Sequence, residues 1–375
     1  MGLVAKRLLA FLVVGIVSVG CGGAVARTPT VARTTAALAR WTPYVHVASP
    51  IDIVGPRRDG AMVVAANGRL WLLSRSGSMR SFAPTYHSNP GLEAYIALAK
   101  AGRHGCSFGA DTVYAISFGK PRGVVAVDSN GRVRPFAAIS APGLIDGIGF
   151  DDTGRFGYRL LVATTHGKRT TVDGVDCRGV VRRVTASAHR VEGGIAVAPA
   201  TFARFAGDLI ASDEFGGGIW AVTPGGQNLL VAPSGLPHGS DTGVESEAFL
   251  PAGRFEALLA DRLTPGNPHP GDNVLLRVSS AALFAAGARP GELLVATEGG
   301  AKTDAISCGP GACQVRHVAD GLAIAHAEGH VAIVPQELAG RALPAPRTPS
   351  GARPLSAGRT RPGGPRGRRG RTAPG

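Results

Sequence analysis

The sequence predicts an all-β fold: a single β-propeller, with six blades of four antiparallel strands. Three observations carry this reading. The apolar runs are short and are broken throughout by turn formers, with 54 Gly and 27 Pro in 375 residues. Aromatic residues are 6% of the chain, so the core is built from Val, Leu, Ile and Ala. One strand pattern also recurs six times at a nearly constant interval.

Aligned without gaps on the small residue inside the strand, the copies are "GAMVVAAN" (60–67), "ADTVYAIS" (110–117), "YRLLVATT" (158–165), "GDLIASDE" (207–214), "FEALLADR" (255–262) and "GELLVATE" (291–298). Their last residues, Asn67, Ser117, Thr165, Glu214, Arg262 and Glu298, stand 50, 48, 49, 48 and 36 residues apart. A period near 49 is the length of one blade. The shorter last step predicts either a trimmed blade or a copy in a different position of its blade. A C-terminal strand near "EGHVAIV" (328–334) is expected to close against the N-terminal blade. The one helical pattern within the propeller is "SSAALFAAG" (279–287).

A second column precedes the repeated strands. Asp52, Glu93, Asp146, Glu192, Glu245 and Glu328 each stand before an apolar run. The first five lie 15 to 24 residues before the polar end of the next copy, the length of one strand, a turn and one strand back. In an antiparallel blade the start of the innermost strand and the end of the second share a face. Both columns are therefore expected around one mouth of the central channel. The candidate ligand-binding residues are Glu93, Asp146, Glu192, Asp213, Glu214, Glu245, Asp261, Arg262, Glu298 and Glu328. Three connections, 236–245, 262–273 and 167–176, are expected over that mouth, where loops on a rigid scaffold carry function. The long connection 99–111 falls on the opposite face.

Carboxylates across a channel of about 8 Å repel by roughly 2 kcal/mol at an effective dielectric of 20. Glu93, Asp146, Glu192, Glu245 and Glu328, expected to converge with Glu214 and Glu298, cannot all stay ionised unless a cation, Arg262 or raised pKa values relieve them. An oxygen-rich site of this kind suits Ca²⁺ over Zn²⁺, with Glu192, Glu245 and Glu298 as metal candidates. The competing reading is that Arg262 and backbone N–H groups neutralise the ring. His238, His269 and His326 lie in loops near acids, and "NPHPGDN" (267–273) places Asn267, His269 and Asp272 together in what is equally a stiff turn.

The ends of the chain read differently. Residues 1–21 form a targeting segment, with Lys6 and Arg7 ahead of an apolar run, Leu8–Val19, that is short for a membrane span. It ends in "SVGCGG", which resembles a lipoprotein signal with Cys21 as the lipidated residue; plain secretion is the alternative. Residues 22–45 read as a linker, 46–340 as the propeller and 341–375 as a tail with nine Arg and no Asp or Glu. That tail holds much of the net charge of +14 and cannot bury a core. It has no aromatics for nucleic-acid binding. The expected partners are a small molecule, glycan or protein at the acidic mouth, with membrane contact through the lipid anchor alone and a monomeric chain. Setting Cys21 aside leaves four cysteines, an even number suited to an extracytoplasmic protein. "CGPGAC" (308–313) suits a hairpin disulfide, Cys308–Cys313, which leaves Cys106–Cys177. Cys106 and Cys177 are isolated in sequence, which disfavours a zinc site. No G-x-S-x-G, Walker loop or H-E-x-x-H occurs.

The stretches "VEGGIAVAP" and "DLIASDE" resemble six-bladed propellers of the NHL and gluconolactonase type. "LLADRLTPGNPHPGDNVLLRVSSAALFAAG", followed by "GELLVATEGG", is similar to a group of uncharacterised exported bacterial propellers. The resemblance covers about residues 46–335. The gluconolactonase type implies one divalent cation in the channel and a lactone hydrolase. Its ligands are a Glu in an acid-Gly-Pro stretch, an Asn in Pro-Asn-Gly and an Asp in Pro-Asp-Gly. Glu192–Gly193 and Glu328–Gly329 match the first without its Pro, and the other two stretches do not occur.

Overall fold

The computed structural model describes residues 36–100 and 106–336. The targeting segment, Cys21 and the tail lie outside them.

Six sheets form a six-bladed propeller. Blades 1 to 4 follow the chain: residues 50–82, 96–138, 144–189 and 192–233, each running from the inner strand outward. All six repeated copies are the second strand of a blade. That strand is sandwiched between the neighbouring blades on both faces. Met62–Ala66, Leu209–Asp213 and Leu293–Thr297 are accordingly buried at every residue. The outer strands, such as Val133–Ala138 and Asn228–Pro233, keep several exposed positions.

Blades 5 and 6 are interleaved. The chain lays down the inner strand of blade 5, Val244–Phe249, and then leaves it to build the second and third strands of blade 6, Phe255–Asp261 and Val274–Ser279. It returns through the helix Ser280–Ala285, which Ser279 caps by accepting the Ala282 N–H. Leu293–Thr297, Thr303–Cys308 and Cys313–Asp320 then complete blade 5, and Ala327–Pro335 supplies the inner strand of blade 6. This explains the step of 36. No blade is trimmed, and the last copy keeps its position in the blade. The sequential pairing expected for Glu245 is also corrected: its strand pairs with 293–297, not with "FEALLADR".

The N-terminal segment closes the ring. Thr42–His46 is the outermost strand of blade 6, and Ala39–Arg40 runs parallel to the outer strand of blade 5. Residues 39–45 therefore belong to the propeller rather than to a linker. Between these two strands Trp41 is 2% exposed, and its indole N–H donates to Thr303 Oγ1 at 2.8 Å. The connection expected at 167–176 is mostly strand, Arg169–Val175. Both disulfides form: Cys106–Cys177 joins blades 2 and 3, and Cys308–Cys313 closes the hairpin of blade 5.

Because Trp41 ties both interleaved blades, Trp41→Ala should cost about 3–5 kcal/mol. Urea unfolding would measure it, and a loss under 1 kcal/mol would return residues 39–45 to the linker.

Candidate functional site

Every inner strand begins at the axis with an acid. The strand register skips Asp146 in blade 3 and Glu245 in blade 5, slips just before Asp52 in blade 1 and slips just after Glu192 in blade 4. In blade 6 it slips just after Glu328, and in blade 2 Glu93 stands three residues ahead of the strand Ile96–Leu98. A bulge bends its strand and re-aims the side chain. In blades 4 and 6 the glycine that follows the acid makes the crowding possible. Gly193 has φ +87°, and a Cβ there would lie 2.1 Å from the Glu245 carbonyl oxygen. Gly329 has φ +69°, with the Ile51 carbonyl oxygen 2.5 Å from its Cβ position. The acid-Gly step is thus a device for bringing inner strands together.

Two sets of side chains bridge the narrowed channel. Tyr95 of blade 2 donates its hydroxyl to Glu245 of blade 5, diametrically opposite, and lies 3.1 Å from Glu93. Arg262 reaches from blade 6 to Glu93 at 3.3 Å and to Glu328 at 3.2 Å. His326 Nε2 lies between Glu298, at 2.9 Å, and Glu328, at 3.3 Å. Glu328 is fully buried, and its second oxygen, Oε2, has no hydrogen-bond partner. One carboxylate oxygen each from Glu93, Glu245 and Glu328 lie within 4.8 Å of one another, and so do ligand atoms of Glu298, His326 and Glu328.

The second bridge lies one step deeper. Asp52, fully buried, accepts the backbone N–H of Ile53, of Ile96 in blade 2 and of His330 in blade 6, each at 2.8 Å. The His330 ring pairs with the same carboxylate through Nδ1 at 3.0 Å. The Ile148 carbonyl of blade 3, opposite, stands beside that ring. Burial opposes a charge on His330, but Asp52 outweighs it and the pKa lies above the ordinary value.

Five carboxyl groups (Glu93, Glu214, Glu245, Glu298 and Glu328) crowd around two bases. Glu328, then burial and Glu192, push Glu93 up to about 8 against the pull of Arg262. Burial, then Glu298 and Glu192, take Glu214 to about 9. Burial and then Glu328 hold Glu245 well above the carboxylate range, and burial also raises Glu298. Burial opposes charge on His326, but Glu298 and Glu328 prevail and raise it to about 10.

The other sequence candidates have separate positions. Glu192 is held by Arg190 at 2.9 Å and joins neither ligand set. Asp146 is buried with one oxygen unpartnered; burial and then Glu192 raise its pKa well above the ordinary value. Asp213 binds His189 at 2.8 Å, and Asp261 accepts the His326 and Asp272 amides. His269 fastens its loop to the Ala323 carbonyl at 2.7 Å, and Asn267 caps that loop by accepting the His269 N–H. Tyr95 and His330 carry no signal in the sequence, since each sits in an apolar run and bonds to a residue of another blade.

The far end of the channel is different. The later residues of the inner strands line a cavity of about 430 Å³, mainly with Val54, Ile96, Leu98, Phe150, Ile195 and Phe249. His330 and Glu247 are also on its wall. The exposed Lys100–Asp152 ion pair, at 3.0 Å, stands at its rim.

No protein-family model and no curated protein matches the chain. Among solved structures it is similar to virginiamycin B lyase from Staphylococcus aureus, with 10% identity, TM-score 0.43 and 72% of this chain over 70% of that one. A protein of unknown function from Bacteroides thetaiotaomicron gives 9% identity and TM-score 0.45, over 77% and 67% of the two chains. A gluconolactonase-family protein gives 16% identity and TM-score 0.33, over 64% and 92%. Among the described residues no helix is long and apolar enough to cross a membrane.

The raised pKa values fix a sign for stability. Glu93 and Glu214 keep their protons in the folded chain up to about 8 and 9, whereas the unfolded chain loses them near 4.5. His326 stays protonated to about 10 against 6.5. In both windows the folded state binds more protons, so stability falls as pH rises. The melting temperature should decrease steadily from pH 5 to pH 9 without divalent cations. A rise over that range would mean that the carboxyls are compensated in another way.

Proposed function

We propose that this protein is an exported propeller that binds a divalent cation, Ca²⁺ foremost, at the acidic mouth, and through it a small molecule, glycan or protein. The carrying observation is the Glu93, Glu245 and Glu328 oxygens within 4.8 Å of one another, beside the buried, unpartnered Oε2 of Glu328. Oxygens about 2.3–2.6 Å from a shared Ca²⁺ are separated by that order of distance, and the set contains no nitrogen or sulfur. A cation would also relieve the repulsion that otherwise requires protons on these groups. Arg262 supports the site as well as competing with it, since it reduces the charge a single ion must balance. Above the mouth, the loops 262–273 and 321–326 present Leu263, Leu322 and Ile324 to solvent at 43%, 42% and 45% exposure. That gives a ligand apolar as well as polar contacts. Two disulfides suit an oxidising compartment, and export followed by lipidation at Cys21 completes the reading.

The second reading is a lactone hydrolase using the same ion to polarise a carbonyl. The acid-Gly steps at Glu192 and Glu328 favour it, and each also has the packing role described above.

Calorimetry and thermal melts with Ca²⁺, Mg²⁺ and Mn²⁺ test the site. The expected result is a saturable heat with Ca²⁺ and a rise in melting temperature that follows ligand linkage. Glu245→Gln should weaken Ca²⁺ at least tenfold while melting no lower than the parent in chelator. No heat and no stabilisation at millimolar cation would mean that the acids are structural. Turnover of a lactone panel that is lost on chelation would select the hydrolase.

A further inference from the structure

The turn between the first two strands of blade 3 carries two arginines that the channel does not use. Asp151, fully buried, holds that turn from within by accepting the backbone N–H of Thr153, Gly154, Phe156 and Tyr158 at 2.9, 2.9, 2.8 and 2.9 Å. Four amides on one carboxylate fix the shape of the turn and answer the charge of that acid locally. Two glycines then seat the arginines. The stem of Arg155 lies across Gly207, at φ +83°, where a Cβ would come within 2.2 Å of Arg155 Cγ. The stem of Arg159 lies over Gly174, where a Cβ would stand 3.1 Å from Cδ. Stems packed in this way hold their charged heads at the surface.

A third guanidinium joins them. Arg183, on the outer strand Val181–His189, gives its Nε to Asp173 at 3.2 Å, and that bond uses neither of its Nη groups. All three arginines line one cleft of about 320 Å³, closed on its other side by Pro224 and Gly225 of blade 4. Gly226 seats that turn against blade 3, since a Cβ there would lie 2.6 Å from the Val184 carbonyl oxygen. Among the described residues, Arg183 alone of the three forms an ion pair. Arg155 acts on Asp208 at longer range, and Asp173 and Asp208 are both buried. A solute entering the cleft therefore meets guanidinium groups and not carboxylates. Like charges on one wall repel, and an anion between them relieves that. One guanidinium fork saturates a carboxylate, whereas three forks from separate positions match an anion with oxygens in several directions.

We propose that the cleft between blades 3 and 4 binds the tetrahedral oxyanion of a phosphate or sulfate group, with Arg155, Arg159 and Arg183 donating to it. The assignment does not rest on the cation reading. The cleft shares no residue with the acidic mouth, and it needs no metal.

Calorimetry on the full chain, in chelator, with inorganic phosphate, sulfate, methyl phosphate and acetate tests it. Phosphate and sulfate should bind with one-to-one stoichiometry and about tenfold more tightly than acetate. Arg155→Gln and Arg159→Gln, each folded by circular dichroism, should weaken sulfate about tenfold. Arg80→Gln, which removes an exposed arginine on the outer strand of blade 1, should leave sulfate binding unchanged. Methyl phosphate binding as tightly as inorganic phosphate would place the group on an organic carrier. Binding of the inorganic ions alone would assign a free anion, and either result supports the site. Acetate binding as tightly as sulfate, no binding of any probe by the parent, or an equal loss in Arg80→Gln would overturn the assignment. So would full sulfate binding by a folded Arg155→Gln, Arg159→Gln double variant, which would trace the heat to arginines elsewhere.

Discussion

Six inner strands converge on one axis, and at their starting ends there is too little room for six ordinary side chains. The rest of the structure follows from that constraint. The strands bulge where they meet, and glycines at positive φ let one backbone lie against the carbonyl of the next blade. The acids that open the strands are pressed together with few bases. What fills the axis is a set of bridges: Tyr95 to Glu245 across the ring, Arg262 and His326 within the acids, and Asp52 collecting amides from blades 1, 2 and 6. A channel held from side to side in this way cannot be an open pore at that level.

Closure of the ring uses the same economy of contacts. A propeller must join its last blade to its first, because an unpaired strand edge invites other chains. Here the N-terminal strand Thr42–His46 and the C-terminal strand Ala327–Pro335 are the outermost and innermost members of one blade. The interleaving adds a second lock. Blade 5 cannot detach without drawing the Phe255–Ser279 hairpin of blade 6 with it, since that hairpin lies between its own first and second strands. Trp41 sits at the seam of the two.

The bridges also divide the channel chemically. On one side are carboxyl groups whose protonation is set by burial and by their neighbours; on the other is a largely apolar chamber with the His330 imidazole on its wall. His330 belongs to both, because the amide and the ring of one residue meet the same Asp52 carboxylate. The two ends differ in chemical character while sharing that strand.

The sequence by itself determined the class and favoured six blades, with the short last step leaving five or seven open. Repeated copies of one buried strand mark equivalent positions, and an acid before each inner strand must fall on one face because antiparallel pairing puts strand starts and ends together. The disulfide pairings were legible too, since one pair is local and the other is what remains. The tertiary structure alone decided the exchange of strands between blades 5 and 6, because a hairpin inserted into a neighbouring blade reads like any other hairpin. It alone placed residues 39–45 in the sheet, since a two-residue strand and a five-residue strand carry no periodicity. The cross-channel partners were equally hidden. Tyr95 and Glu245 are 150 residues apart and Asp52 and His330 are 278 apart. Contact between them depends on the diameter of the closed ring, a property that no local stretch of the chain encodes.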